Sequence, residues 1–213
     1  MAKFTSDQKE GRRQEILAAA LRCFARNGFH SATIADIVRE SGVSQGTFYL
    51  YFATKDDVIA ALADDRSQGD ALINAIAGAE TDPLAGLTIL FDLHGQGLAD
   101  DRRADEQRVA IQGWAEALRN ETVRDRLLAN GARVEQEIAR LIERGQVTGQ
   151  FRADAEPRGV ARALMALFRG LTLLAAWEGG FDARLTAKSI EDMARGVLAP
   201  LGATSAAEKE APK

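Results

Sequence analysis

Cysteine, histidine, proline and alternating β-type runs are all scarce in this chain, and each scarcity removes a class of protein. A single cysteine, Cys23, in 213 residues excludes a disulfide framework. Two histidines, His30 and His94, lie far apart and have no cysteine cluster beside them, so no structural zinc site is expected. Four prolines among many Ala, Leu, Glu and Arg residues point to helices almost throughout. Val, Ile and Thr form no alternating runs, so no sheet is expected and the fold class is all-α. Residues 1–15 are polar and charged rather than a leader, and no apolar run approaches the roughly 18 residues of a membrane span. The expected location is the cytoplasm, with no membrane partner.

Catalytic patterns are missing as well. There is no Ser/His/Asp elbow, metal pair or phosphate loop. Gly95-Gln96-Gly97 lacks the third glycine and the preceding strand of a dinucleotide fingerprint, and Asp64-Asp65 and Asp100-Asp101 read as solvated helix ends. The chain is therefore read as a non-enzyme without cofactor or metal. What it does contain is an ordinary globular balance, 46% apolar and 27% charged. The net charge of −4 hides an asymmetry. Residues 1–55 carry eight Lys/Arg against five Asp/Glu, so +3, and the remainder carries 19 against 26, so −7. A positive head on a negative body turns the head towards phosphate.

The periodicity divides the chain into a head at 1–53, a helical body at 54–201 and a disordered tail at 202–213. Residues 1–10 read as a mobile arm, with Lys3 and Lys9 free to touch DNA backbone. A first helix is expected over 12–26 from the stripe Ile16, Leu17, Ala20, Leu21 and Phe24. Cys23 is a small residue beside that stripe. Asn27-Gly28 closes the helix and Phe29 packs back. Thr33 caps the next helix with Asp36 at the third position, Ile34, Ile37 and Val38 make its buried face, and Ser41-Gly42 ends it. Gly42 supplies positive φ in the turn, Val43 plugs it, and Ser44 caps a short helix by accepting from Thr47. On that helix Phe48 and Phe52 turn inward, whereas Gln45, Gly46, Thr47 and Tyr49 face outward.

Short helix, four-residue turn, short helix is the helix-turn-helix pattern. The segment ATIADIVRESGVSQGTFYLYFATKDDVIAAL resembles the DNA-binding region of the TetR family of transcriptional regulators, over residues 14–62. The resemblance implies an N-terminal three-helix DNA-binding domain followed by a larger ligand-binding and dimerisation domain. It implies base contacts from Gln45, Gly46 and Tyr49, the amide to adenine or guanine and the ring to a thymine methyl. Phosphate contacts would come from Thr33, Ser44, Thr47, Tyr51 and Lys55. The family often has a basic or aromatic residue where this chain has Gln45 and Leu50, so base preference does not carry over. The partner is a palindromic operator in double-stranded DNA, bound by a homodimer.

In the body, a helix is expected from Thr54 to about residue 77, with loosening at Gly69, and the resemblance implies that it links head and body. Further helices are expected after Asp82-Pro83, over residues 109–118, from the Asn120 cap to near Gly145, over 154–178 and over 182–198. Phe91, His94, Trp114 and Phe168 are candidates for lining an effector cavity, and each is as readily plain packing. Their makeup implies a hydrophobic or aromatic small molecule. The last two helices are too apolar for a surface layer. By resemblance they form the dimer interface, with Leu164, Leu171, Leu174, Ile190, Met193 and Val197. Trp177 belongs to that interface or to the core. The reading is a ligand-responsive repressor. The alternative is a helical interaction module, or an activator without small-molecule control.

Overall fold

The computed structural model describes residues 6–64, 67–77, 82–178 and 181–200. Among them the regular elements are all helical, as expected: α1 (Ser6–Ser31), α2 (Ile34–Ser41), α3 (Gln45–Tyr49), α4 (Lys55–Ala63), α5 (Ser67–Ala77), α6 (Pro83–Leu98), α7 (Ala104–Glu116), α8 (Glu121–Val147), α9 (Pro157–Trp177) and α10 (Ala183–Leu198), with one short 3₁₀ turn at Asp101–Arg103. The tail at 202–213 and the first half of the arm, with Lys3, lie outside the described residues.

Residues 6–10 do not form an arm but the first turns of α1. Pairing at three- and four-residue spacing supports this polar start: Gln14 donates to Glu10 at 2.7 Å and Arg12 pairs with Glu15 at 2.6 Å. Gly28, at φ +78°, breaks α1 where the closure was expected, but the chain then completes a further turn to Ser31. The expected single helix over 54–77 is two helices, α4 and α5. The helices α6, α8, α9 and α10 match the expected segments within three residues, whereas α7 begins at Ala104, inside the charged stretch expected to precede it; Asp82, Glu156 and Asp182 are the carboxylate caps of α6, α9 and α10.

The chain divides into two compact units. The first holds 1–65 and 102–130, so α7 and the first turns of α8 fold with the helix-turn-helix. Ile16, Phe24, Ile37, Phe48 and Val58 are fully buried in its core, joined by Phe29, Phe52, Val109 and Val123. Each such side chain contributes about 1.5–3 kcal/mol by leaving water. Phe24 and Phe29 meet edge to face across the Gly28 break, ring centroids 4.9 Å apart. The Gln112 side chain of α7 spans the same break. Its Nε2 donates to the Phe24 carbonyl at 3.0 Å and its Oε1 accepts from the Phe29 N–H at 2.9 Å. Arg22 and Arg26 both pair with Glu40, tying α1 to α2 and holding that carboxyl below its usual range.

The second unit holds 66–101 and 131–213. Ile76, Leu87, Leu90, Phe91, Ile138, Leu141, Ile142 and Leu198 form its most deeply buried layer. After α8 the chain doubles back so tightly that a Cβ on Gly145 would sit 2.0 Å from the Phe151 ring, so only glycine fits there. The residue Glu191 of α10 is 1% exposed and is held by Arg195 at 2.7 Å and Lys188 at 3.4 Å. Burial pushes its pKa up, but bonds from Arg195, Thr88 and Lys188 outweigh that, and the net direction is down.

In contrast to the sequence expectation, α9 is long and apolar enough, by length and composition, to cross a membrane. It nonetheless carries Arg158, Arg162 and Arg169 and buries Ala161, Leu164, Phe168 and Leu171 in this unit's core.

Candidate nucleic-acid interface and body residues

Local capping fixes the shape of the helix-turn-helix. Thr33 closes a full capping box with Asp36, accepting from the Asp36 N–H at 3.2 Å and donating its hydroxyl hydrogen to Asp36 Oδ2 at 2.7 Å. Bonds to the Asp36 carboxylate from the Thr33 hydroxyl, from the Thr33 N–H at 3.0 Å and from Arg39 pull its pKa down to about 2. Gly42 takes φ +70°, its N–H returning to the Val38 carbonyl at 3.1 Å, and Val43 is buried beneath the turn. Ser44 then caps α3 by accepting from Thr47 N–H at 3.1 Å, as the sequence implied. Phe48, fully buried, and Phe52 anchor α3 from below, ring centroids 5.9 Å apart.

This anchoring leaves Gln45, Gly46 and Tyr49 on the exposed side. Tyr49 is 48% exposed, its ring edge-on to Phe48 at 5.6 Å. A Cβ on Gly46 would meet nothing closer than Ser44 Oγ at 4.0 Å, so nothing in the protein's own packing demands glycine there. Leu50, which the sequence reading did not assign to the interface, stands 82% exposed beside Tyr49. Its signal was available: an apolar residue on the outward side of a short capped helix.

The expected phosphate ligands differ in readiness. Ser44 Oγ and Thr47 Oγ1 lie 2.8 Å apart in a shared hydrogen bond on the exposed side, and Tyr51 is half-buried against the core. Thr33 spends its hydroxyl hydrogen on Asp36. Lys55 Nζ donates to the carbonyls of Ala32 at 2.9 Å and His30 at 3.2 Å, so two of its three N–H groups are engaged at the join between α1 and α2.

Of the four candidate cavity residues, three come together and one does not. Phe91 and Phe168 pack edge to face at 5.3 Å, and the His94 ring lies over Phe168 at 4.3 Å. His94 Nε2 is 3.2 Å from the Phe168 carbonyl, which also accepts from Thr172 Oγ1 at 3.0 Å. A hydrogen bond there requires the proton on Nε2. The trio is thus packed and satisfied by itself, which is the plain-packing alternative in its geometry. Trp114 is half-buried in the first unit, whereas the trio belongs to the second. The second unit also carries a cleft of about 210 Å³ between α6 and α10, lined by Phe91, Asp92, Gly95, Gln96, Arg184, Ala187 and Lys188. Only Phe91 of the expected set reaches it.

The expected dimer residues need correction in part. Leu164 and Leu171 are each 3% exposed, spent inside the protomer's core, and have little surface for a partner. Ile190 packs partly on the same core and Leu174 is half-buried. Met193 at 68% and Val197 at 59% are exposed, as are Leu167, Leu173, Leu185 and Trp177, so Trp177 is not core.

Comparison with known proteins agrees with this architecture. The family described as "Bacterial regulatory proteins, tetR family" matches residues 16–62, and "BetI-type transcriptional repressor, C-terminal" matches residues 96–201. The chain is 31% identical over 153 residues to the uncharacterized HTH-type transcriptional regulator YfiR of Bacillus subtilis, covering 70% of this chain and 72% of that protein. YvdT of the same organism is 43% identical over 58 residues, but these make up 27% of this chain and only 30% of that protein. A solved transcriptional regulator from Saccharomonospora viridis, in complex with choline, superposes with TM-score 0.75 at 30% identity, covering 89% of this chain and 98% of that one. With a helix-turn-helix built on Gly42, Ser44 and Phe48 and a second unit that is also helical, this chain belongs to the TetR family of transcriptional regulators.

Proposed function

We propose that the protein is a repressor that binds a palindromic operator as a homodimer and is released by a small apolar or aromatic molecule. The head at 1–53 reads DNA, and the body at 54–201 dimerises and binds the effector. The observation that carries the DNA reading is α3. A five-residue helix held from below by a fully buried Phe48 presents Gln45, Gly46 and a half-exposed Tyr49 outward. Small and polar groups at a helix start, with a ring behind them, suit entry into the major groove, the amide bonding purine edges and the ring meeting a thymine methyl.

Ser44 and Thr47 hydroxyls, exposed beside that face, serve phosphate oxygens in this reading. Lys55 keeps one N–H for a phosphate, and Thr33 reaches one only by releasing Asp36. The exposed stripe of α9 and α10, Leu167, Leu173, Trp177, Leu185, Met193 and Val197, supports pairing with a second copy, because a monomeric surface seldom leaves so much apolar area open. A symmetric dimer places two copies of α3 in successive major grooves, about 34–36 Å apart or farther.

Effector binding to the body then favours a dimer conformation that misplaces the two heads. Such coupling is typically about 1–3 kcal/mol and reciprocal, so DNA weakens effector binding by the same factor. Tyr49→Ala tests the base-reading role. Operator affinity falls about tenfold or more in a gel-shift titration, with helix content and dimer mass unchanged. Unaltered affinity overturns the assignment.

A further inference from the structure

Arg144 stands near the end of α8, half-buried, with two of its three guanidinium nitrogens shut away from water and unpartnered. Its Nε and Nη2 are both buried, and none of the described residues hydrogen-bonds either one. The other arginines of α8 find carboxylates: Arg124 with Glu121, Arg126 with Asp64, Arg133 with Asp70 and Arg140 with Glu137. Arg144 is the exception. Buried N–H groups left without acceptors are costly, and a chain that only had to fold would be better served by an apolar side chain there.

The identity of the two orphan atoms is informative. Nε and Nη2 form the edge of a guanidinium whose two N–H vectors run parallel, spaced for the two oxygens of one carboxylate. This chain uses that edge elsewhere, where Arg152 Nε and Nη2 donate to Asp154 Oδ1 and Oδ2, both at 2.6 Å. At Arg144 the same fork is presented, and no carboxylate of the described residues pairs with it.

The backbone that carries Arg144 is tightly fixed. Phe151 covers the adjoining Gly145 and its N–H bonds to the Gly145 carbonyl at 2.9 Å, while Gln146 Nε2 donates to the carbonyls of Arg152 at 3.0 Å and Ala155 at 2.7 Å. The fork is thus preorganised, with fully buried Leu141 and Ile142 close by on the same helix.

We propose that Arg144 is the anchor for the carboxylate of an amphipathic effector whose apolar part lies against the core side chains of the second unit. The inference rests on the effector-responsive reading above and narrows its ligand class to apolar or aromatic carboxylates. Arg133 is not a second arm of the same grip. Its Nη1 is also buried and unpartnered, but Nη2 holds Asp70 at 2.6 Å, and eleven residues of helix put it about 16.5 Å from Arg144.

The test compares decanoate, decanamide and choline on the wild-type protein, Arg144→Met and Arg144→Lys, by thermal shift and calorimetric titration. Decanoate raises the unfolding temperature of the wild type, and decanamide and choline do not. Arg144→Met unfolds at a higher temperature than the wild type without ligand and binds decanoate at least tenfold more weakly. Arg144→Lys, which keeps the charge but loses the fork, falls between. A ligand-free Arg144→Met that is less stable or fails to fold overturns the proposal, because the guanidinium would then be structural. So does decanamide or choline binding as well as decanoate, or an absence of decanoate binding. A gel shift separates the two readings. Decanoate held through Arg144 without any change in DNA affinity sinks the effector mechanism and leaves the anion site. DNA release by an uncharged compound that persists in Arg144→Met does the reverse.

Discussion

Replacing Gln112 with alanine removes one side chain that joins residues 83 and 88 positions away in sequence. At the Gly28 break the Gln112 side chain bonds to both the Phe29 N–H and the Phe24 carbonyl, and both bonds are part-buried. Leaving a buried polar group unmet costs about 1–3 kcal/mol. Partial exposure admits some water to each group, so the pair together is worth about 2 kcal/mol. For a chain of this size that lowers the unfolding temperature by about 4–8 °C. The assay is thermal unfolding by circular dichroism together with the urea midpoint. Gln112→Glu gives a sharper comparison, because it keeps the acceptor for Phe29 but turns an oxygen towards the Phe24 carbonyl, and it should be no more stable than Gln112→Ala. A Gln112→Ala melting temperature within 1 °C of the wild type would refute the claim that this amide holds the break.

Two further predictions concern the second unit. The double substitution Met193→Asp and Val197→Asp places charges on the exposed stripe of α10, and light scattering at micromolar concentration should report monomers with unchanged helix content. Retention of the dimer mass would move the interface elsewhere. Glu191 has its pKa lowered in the folded state, so its contribution to stability is present above the ordinary glutamate value of 4.5 and is lost as pH falls through the lowered one. Glu191→Gln should therefore cost about 2 kcal/mol at pH 7, where the charged acceptor is lost, and should flatten the acid-side decline in unfolding temperature below pH 4.5. A mutant that follows the wild-type profile at all pH values contradicts this.

The head was legible because caps and turns are local physics. Thr33, Gly42, Ser44 and Thr54 each announce a bond within three or four residues, and all four bonds are present. The start of α1 was not, since residues 6–10 carry no apolar stripe and gain from side-chain pairs that polarity alone does not reveal. Leu164 and Leu171 were assigned to the wrong face because α9 carries leucines both on its buried face and, as Leu167 and Leu173, on its exposed one, and the sequence pattern does not say which of them meet the protomer's own core. Gln112 and Arg144 could not be singled out at all. A glutamine on α7 looks like any solvated polar residue until its partners arrive from α1. An arginine without a partner is recognisable only once the positions of the carboxylates are known.

The central claim is that two copies of α3 read one symmetric DNA site. Footprinting the wild type and Tyr49→Ala on the DNA flanking the protein's own gene tests it most directly. The account predicts that the wild type protects a palindrome with half-site centres about one helical turn or more apart, and that Tyr49→Ala loses this protection while its weak binding to generic duplex survives. Protection of a single unpaired half-site, or a wild-type footprint undiminished in Tyr49→Ala, would contradict it.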